Sequence, residues 1–281
     1  MRLAHLILAH NNPAQLARLV RHLSHDDADV YIHLDTKADI HQFEAVNLIP
    51  NTFFVKNRVN MVWCEYSTIQ GTLNAMEEIM RSGKEYTHIN LLSGNDYPLQ
   101  SADTVHKFLF ANNDTSFIAY DKIFNEWSHG QARMNTYYFG DYGFKGRYHV
   151  SKVVSKLLPD RKLPRKMVAY GRSQWMTLTS ECVVYALKFV KDNPAVERFF
   201  KMTWAVDEVF FQTILCNSPL KGKLLNDNLR HIRLNEGYRP VTYTIDNAEE
   251  LMGSGKLYAR KFNEEVDAGI LDYLDTHLSI K

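Results

Sequence analysis

The chain is poor in the features that mark several common architectures. It has three cysteines, Cys64, Cys182 and Cys216, odd in number and far apart. They form no disulfide framework and no metal-ligand spacing, which fits a reducing compartment. No apolar run approaches the ~20 residues that a membrane-spanning helix needs. The opening stretch, 1–10, carries Arg2 and then a short apolar run interrupted by His5 and His10. It is too brief for a signal core and reads as a strand. Lysine plus arginine (33) nearly balances aspartate plus glutamate (32), so no global field recruits nucleic acid. Gly-x-Gly-x-x-Gly is absent, and so is a Gly-Lys-Ser/Thr loop, which argues against a dinucleotide site and a P-loop. There are no internal repeats and no low-complexity linkers. The expected location is the cytoplasm of a bacterium-like cell, free or bound to a membrane surface.

What is present is alternation. With 281 residues, 45% of them apolar, the chain can bury a large core. Leu3–Leu8 reads as a buried strand, followed by a capping Asn12, Pro13 at the first helical position, and a helix to Leu23. Strands are expected at Val30–Leu34, Thr52–Val55, Tyr86–Leu92 and Ser116–Tyr120. Helices are expected at Tyr66–Met80 and Ala102–Phe110. From Asp121 to Met167 the pattern breaks into loops. It resumes with a strand over Ser173–Leu178, a helix capped by Thr179 or Ser180, a strand over Leu229–Leu234, a short helix over Asn247–Ser254, and a final helix over Glu264–His277. This is an α/β chain, a mostly parallel sheet flanked by helices, read as one domain, 1–281. Ligands of such sheets sit at the carboxyl ends of the strands, where His10, Asp35 and the Ser93–Asp96 turn fall.

One stretch stands out for chemistry. Thr203–Leu215 reads as a loop that becomes a helix at Asp207-Glu208. Asp207 suits an N-cap, and Val209, Phe210, Thr213 and Ile214 recur at helical spacing. Glu208 would then sit at the positive end of a helix dipole, ionised and fixed, as a general base must be. The plainer reading is a capped helix with a solvated acid beside it. A second stretch is basic: residues 145–172 hold nine Lys or Arg against one acid, Asp160. Val150, Val153, Val154, Leu157 and Leu158 could line one face of a short helix there. It is either a solvated positive face or a surface for anionic lipid or a phosphate-bearing acceptor.

Several segments together resemble one family, the core-2/I-branching β-1,6-N-acetylglucosaminyltransferases and peptide O-xylosyltransferases (glycosyltransferase family 14). They are Ala9-His10 after the first strand, Ile32–Ala38, Val62-Trp63 ahead of Leu73–Met76, and Ile89–Pro98. Gly171–Trp175, Asp207-Glu208 and Ala259–Phe262 complete the set in family order. The resemblance implies a GT-A-type, Rossmann-like nucleotide-sugar fold. Residues 1–120 would be its nucleotide-binding half and 121–281 its acceptor-binding and catalytic half. It implies that Glu208 is the base and that Ala9, His10, Asp35 and Trp63 contact the nucleotide. Trp63 stands where the family often has Tyr. Lys261 falls on the lysine that contacts the donor diphosphate, with Arg233, Arg239 and Arg260 as unranked candidates for its basic partner. An acceptor-side Trp of many members is replaced near Leu234. Among the remaining residues, Asp96, Ser173, Trp175 and Asp207 are candidates for the donor or acceptor sugar.

The expected reaction is inverting transfer of a sugar, GlcNAc first, from UDP to a saccharide hydroxyl in surface polysaccharide or glycolipid assembly. Alternatives are a UDP-xylose or other UDP-hexose transferase and a catalytically silent saccharide-binding protein. The only Asp-x-Asp, Asp27-Ala28-Asp29, lies between the first helix and the second strand, the wrong place for a metal. The resemblance implies a metal-independent site with no cofactor, basic side chains taking the cation's role. The expected partners are the UDP-sugar, an acceptor that could be lipid-linked, and the inner face of the membrane through 145–172. His10 has a second reading as a core histidine, Trp175 as core packing, and Ser93–Asp96 as a turn shaped by its own hydrogen bonds.

Overall fold

A computed structural model describes residues 1–278. The elements run β1 (Arg2–Ala9), α1 (Pro13–Leu23), β2 (Ala28–Leu34), α2 (Glu44–Asn47), β3 (Thr52–Phe54), α3 (Tyr66–Met80), β4 (Tyr86–Ser93), β5 (Asp96–Pro98) and α4 (Ala102–Ala111). They continue with β6 (Ser116–Lys122), α5 (Gln131–Asn135), α6 (Arg147–Leu157), β7 (Tyr170–Thr179), α7 (Ser180–Asp192), α8 (Pro194–Lys201) and α9 (Phe210–Cys216). The last are β8 (Leu224–Leu225), β9 (Arg230–Ile232), α10 (Ala248–Gly253), β10 (Tyr258–Arg260) and α11 (Gly269–Leu278). The fold is α/β, mostly parallel in its sheet and flanked by helices. Two compact units make it up, each discontinuous in sequence. The first takes 1–56, 83–114 and 229 onward; the second takes 57–82 and 115–228.

In the first unit β1 is the centre of a parallel ladder. It pairs with β2 from Leu3↔Ala28 to Ala9↔Leu34, and with β4 as far as Leu8↔Ser93. β3 extends the ladder beside β2. Leu3–Ala9 and all of β2 are buried, as expected of parallel strands covered on both faces. A second, three-stranded sheet orders β5-β10-β9, with β10 antiparallel to β5 and parallel to β9. Arg230 ties the two sheets. Its buried guanidinium donates to Asn90 Oδ1 and to Leu91 O (2.9 Å) and lies over the Tyr258 ring. In the second unit β6 pairs antiparallel with β7 and parallel with β8.

Hydrogen bonds to side chains fix the starts of α3, α4 and α7. Ser101 Oγ accepts from Thr104 N at the start of α4, and Thr179 Oγ1 accepts from Cys182 N at the start of α7. α3 is capped from a distance, since Asp141 accepts from Tyr66 N (2.6 Å) and Ser67 N (3.2 Å). The structure corrects three expectations. Asn12 stands before α1 in the left-handed region and its side chain makes no cap bond. α11 starts at Gly269 rather than Glu264, because Asn263 and Asp267 accept from Glu265 N and Ile270 N and hold a turn ahead of it. Between Asp121 and Met167 the loops are broken by α5 as well as by α6, the short helix read over the basic stretch.

The Asp-x-Asp at 27–29 proves structural. Asp29 is buried on β2 and accepts from Arg2 Nε (2.6 Å), Lys84 Nζ (2.9 Å) and Tyr86 Oη (2.6 Å). Burial alone would raise its carboxyl, but those three donors outweigh it and hold the group at about 2. A carboxyl depressed in the folded state stabilises the fold above the ordinary carboxylate range and loses that effect as pH falls through about 2. Asp29→Asn should therefore cost about 3 kcal/mol at neutral pH and flatten the acid limb of the stability curve in denaturant titrations. Equal stability of variant and parent near neutral pH would contradict this.

Candidate active site

The carboxyl ends of β1, β2 and β4 gather most of the sequence-predicted residues of the first unit. Asp35 N donates to Ala9 O (2.9 Å) and Gly94 N to Leu8 O (3.0 Å), so the three strand ends are held together. Asp35 is buried; its Oδ1 accepts from Lys37 N (2.8 Å), and the Lys37 ammonium lies 3.5 Å from Oδ2. His10 follows Ala9 and is exposed. Asp96 opens β5, fully buried, with Ser93 donating to it from both Oγ (2.7 Å) and N (3.2 Å). The antiparallel register sets Arg260 opposite Asp96, and the two pair at 3.6 Å. Lys261 comes next in the chain. Its N–H donates to Val241 O and its carbonyl accepts from Tyr243 N. Among the described residues the half-buried Lys261 ammonium has no ion-pair partner.

The three arginines differ in what they face. Arg260 meets the Asp96 carboxylate. Arg233 is bound to Glu250 at 2.7 Å. Arg239 is exposed on the turn closed by the Leu234↔Pro240 bridge, and no carboxylate pairs with it among the described residues. One residue here escaped the sequence reading. Gln15, fully buried on α1, donates to Gly94 O (3.0 Å) and Phe262 O (3.2 Å) and accepts from Glu264 N (2.8 Å). It fixes the strand-end turn against the segment that follows Lys261.

The second unit holds the acid pair. Val206–Glu208 forms a single 3-10 turn, entered through Ala205 in the left-handed region at φ +49°. That conformation costs a non-glycine residue about 1 kcal/mol. Packing maintains it, with Ala205 buried and its N–H donating to Cys64 O (2.9 Å). α9 starts only at Phe210, and all seven of its residues are buried. Asp207 is therefore not a helix cap, and no side chain caps α9. The dipole argument for Glu208 falls with it. A cation takes that role. Arg133 Nη1 on α5 donates to Glu208 Oε2, and its guanidinium lies over the rings of Trp127 (4.6 Å) and Trp204 (5.3 Å). The Arg133 side chain is 12% exposed and that of Glu208 37%, so the carboxylate is anchored through one oxygen and open to solvent. Oε1 receives no hydrogen bond among the described residues.

β7 approaches this turn closely. A Cβ on Gly171 would lie 2.6 Å from the Trp127 ring and 2.8 Å from Glu208 O. Just beyond, the register with β6 shifts, so residues 173–175 stand opposite Ala119 alone. Ser173 and Trp175 thus sit on a bulge, a device that re-aims side chains at strand ends. The bulge is braced by Asn228 Nδ2 donating to Ser173 Oγ (3.1 Å) and Gln212 Nε2 donating to Ser173 O. Trp63 lies in the segment ahead of α3 with 79% of its surface exposed.

The core-2/I-branching enzyme model matches residues 3–253. The chain belongs to that family. Among similar proteins, xylosyltransferase 2 of Homo sapiens is 27% identical across 99% of this chain and 34% of its own length. A xylosyltransferase of Ciona intestinalis is 23% identical over the same shares. The chain thus spans about a third of the length of the curated relatives it matches. Among solved structures, the apo form of mouse xyloside xylosyltransferase 1 aligns with a TM-score of 0.40 at 11% identity, over 92% of this chain and 97% of that one.

The family segments quoted from the sequence include Gly171 but not the tryptophan-sandwiched arginine. Arg133 lies 75 positions from Glu208 in a stretch without periodicity, so no sequence signal pointed to the pair. Gly171→Ala tests the close approach of β7. The added methyl has backbone and an indole ring against it, and overpacking of this kind costs about 2 kcal/mol. A fall in Tm of roughly 4 °C or more is expected, and an unchanged Tm would contradict the packing described.

Proposed function

We propose that this branching-family chain is an inverting glycosyltransferase that moves a sugar from a UDP-sugar to a saccharide hydroxyl and forms a β-linkage. The observation that supports it most is Glu208, held through Oε2 by Arg133 and open at Oε1. In this reading Oε1 takes the proton of the acceptor hydroxyl as that oxygen bonds to the anomeric carbon. The bond from the anomeric carbon to the β-phosphate oxygen breaks, and its electron pair leaves with UDP. Lys261 meets the charge that develops there, with Arg239 as its partner of choice because Arg233 and Arg260 already face carboxylates. Ala9, His10, Asp35 and Trp63 are assigned to the nucleotide, and Asp96, Ser173, Trp175 and Asp207 to the sugars.

The reaction is proposed to run without a divalent cation, because the Asp96 carboxylate at the strand-end turn is already engaged by Ser93 and Arg260. UDP-GlcNAc is the first donor, in cytoplasmic surface-polysaccharide or glycolipid assembly. A second donor reading, UDP-xylose, is favoured by the names of the relatives, which are xylosyltransferases. A silent saccharide-binding protein is the reading least favoured, since it leaves without a use the anchored Glu208 and a Lys261 that has no ion-pair partner among the described residues.

The test is UDP release from UDP-GlcNAc and from UDP-xylose, each with a panel of saccharide acceptors in excess EDTA, with the anomeric configuration of the product read by NMR. Release in EDTA, faster with UDP-GlcNAc, and a β-product are expected. Faster turnover of UDP-xylose would replace the first donor with the second, and strict dependence on manganese would defeat the cation-free proposal. Lys261→Ala should weaken UDP binding at least tenfold, about 1.4 kcal/mol, while leaving the melting curve in place.

A further inference from the structure

Helix α6 is packed with its polarity reversed. Its only buried residue is Ser151, whose Oγ accepts from Phe139 N (3.0 Å). One turn on, Ser155 Oγ accepts from Tyr137 N (2.8 Å) and donates to Tyr137 O. The serines at i and i+4 are therefore the face that docks on the protein. Val150, Val153 and Leu157, at i, i+3 and i+7, point outward, Val153 at 54% and Leu157 at 78% exposure. Phe144, Tyr148 and Leu158 are exposed beside them. A helix of a globular protein normally turns such a stripe to the core, and an exposed one marks a contact surface.

The rim of the stripe is cationic. Lys145, Lys152, Lys156 and Lys162 are all exposed. The two acids of this region are engaged elsewhere: Asp141 caps α3, and Asp160 accepts from Asn135 Nδ2 (2.9 Å). Arg161 adds no surface charge. It is buried and donates to the carbonyls of Thr136, Met202 and Phe199, pinning the segment that leaves α6. The helix is thus fixed at both ends of its polar face, presenting an apolar strip bordered by lysines.

We infer that the outer face of α6 docks on an anionic lipid bilayer. The charge complementarity selects that occupant. Apolar side chains enter the headgroup boundary while flanking lysines, with flexible apolar stems, reach the lipid phosphates. The binding is peripheral: among the described residues no helix is long and apolar enough to cross a membrane. This inference is independent of the transferase reading.

The experiment is co-sedimentation of the full chain with phosphatidylcholine vesicles, with and without phosphatidylglycerol, at low and high salt. Binding is expected only with phosphatidylglycerol and should weaken at least tenfold at high salt. Val153→Asp with Leu157→Asp should reduce it about tenfold with an unchanged melting curve, because both side chains are exposed. Lys152→Glu with Lys156→Glu should do the same, and serves as the second variant. No sedimentation with anionic vesicles overturns the inference, and so does binding that ignores salt or both pairs of substitutions. A dimer in solution that Val153→Asp with Leu157→Asp splits, without vesicle binding, identifies a second copy as the occupant and overturns it too.

Discussion

The ion pair of Arg133 and Glu208 is the interaction on which the functional account depends. A guanidinium that is nearly nine-tenths buried needs a counter-charge, and Glu208 supplies it. The indole faces of Trp127 and Trp204 hold the cation in place and exclude water from its flanks. The result is a carboxylate with one oxygen committed and the other exposed. Everything around it serves that placement. Ala205 turns the chain through the left-handed region, the buried α9 anchors the far side of the turn, and Gly171 lets β7 come against the Glu208 carbonyl.

The first unit solves a different problem, which is to concentrate polar groups at strand ends without leaving buried charge unmatched. The small sheet of β5, β10 and β9 does this by register. Pairing Asp96 with Arg260 settles the buried carboxylate, and the ammonium of the next residue, Lys261, has no ion-pair partner among the described residues. Gln15 adds three hydrogen bonds that hold the turn and the post-Lys261 segment together. One buried amide thus joins segments that lie 79 and 247 to 249 positions along the chain from it, a constraint that strand pairing alone would not supply.

The sequence shows the periodic parts of this molecule clearly. α3 runs Tyr66–Met80 as its apolar spacing predicts, and β1, β2 and β4 lie where continuous apolar runs placed them. The strand-end location of Ala9, Asp35 and Asp96 follows from that alone. Other features were legible but passed over: Asn193-Pro194 followed by Val196, Phe199 and Phe200 is a helix start, and α8 is there. What could not be read depends on distant partners. Asp207 has the side chain of a cap but sits inside a 3-10 turn, because the Ala205–Cys64 hydrogen bond and the burial of Val206 decide the backbone. The Arg133 clamp lies in a stretch with no repeating pattern, and although the apolar stripe of α6 is legible, that its serine face docks inward is set by tertiary contacts with Tyr137 and Phe139.

The most direct test of the central claim is the turnover of Glu208→Gln. Glutamine keeps an acceptor oxygen for Arg133, so the clamp and the fold should persist, while the group can no longer accept the acceptor proton. The account predicts a loss of at least a thousandfold, about 4 kcal/mol, in transfer rate per folded molecule with UDP affinity unchanged, while the melting temperature falls because the Arg133 guanidinium loses its counter-charge. Transfer at the parent rate in that variant would remove Glu208 as the base and with it the account.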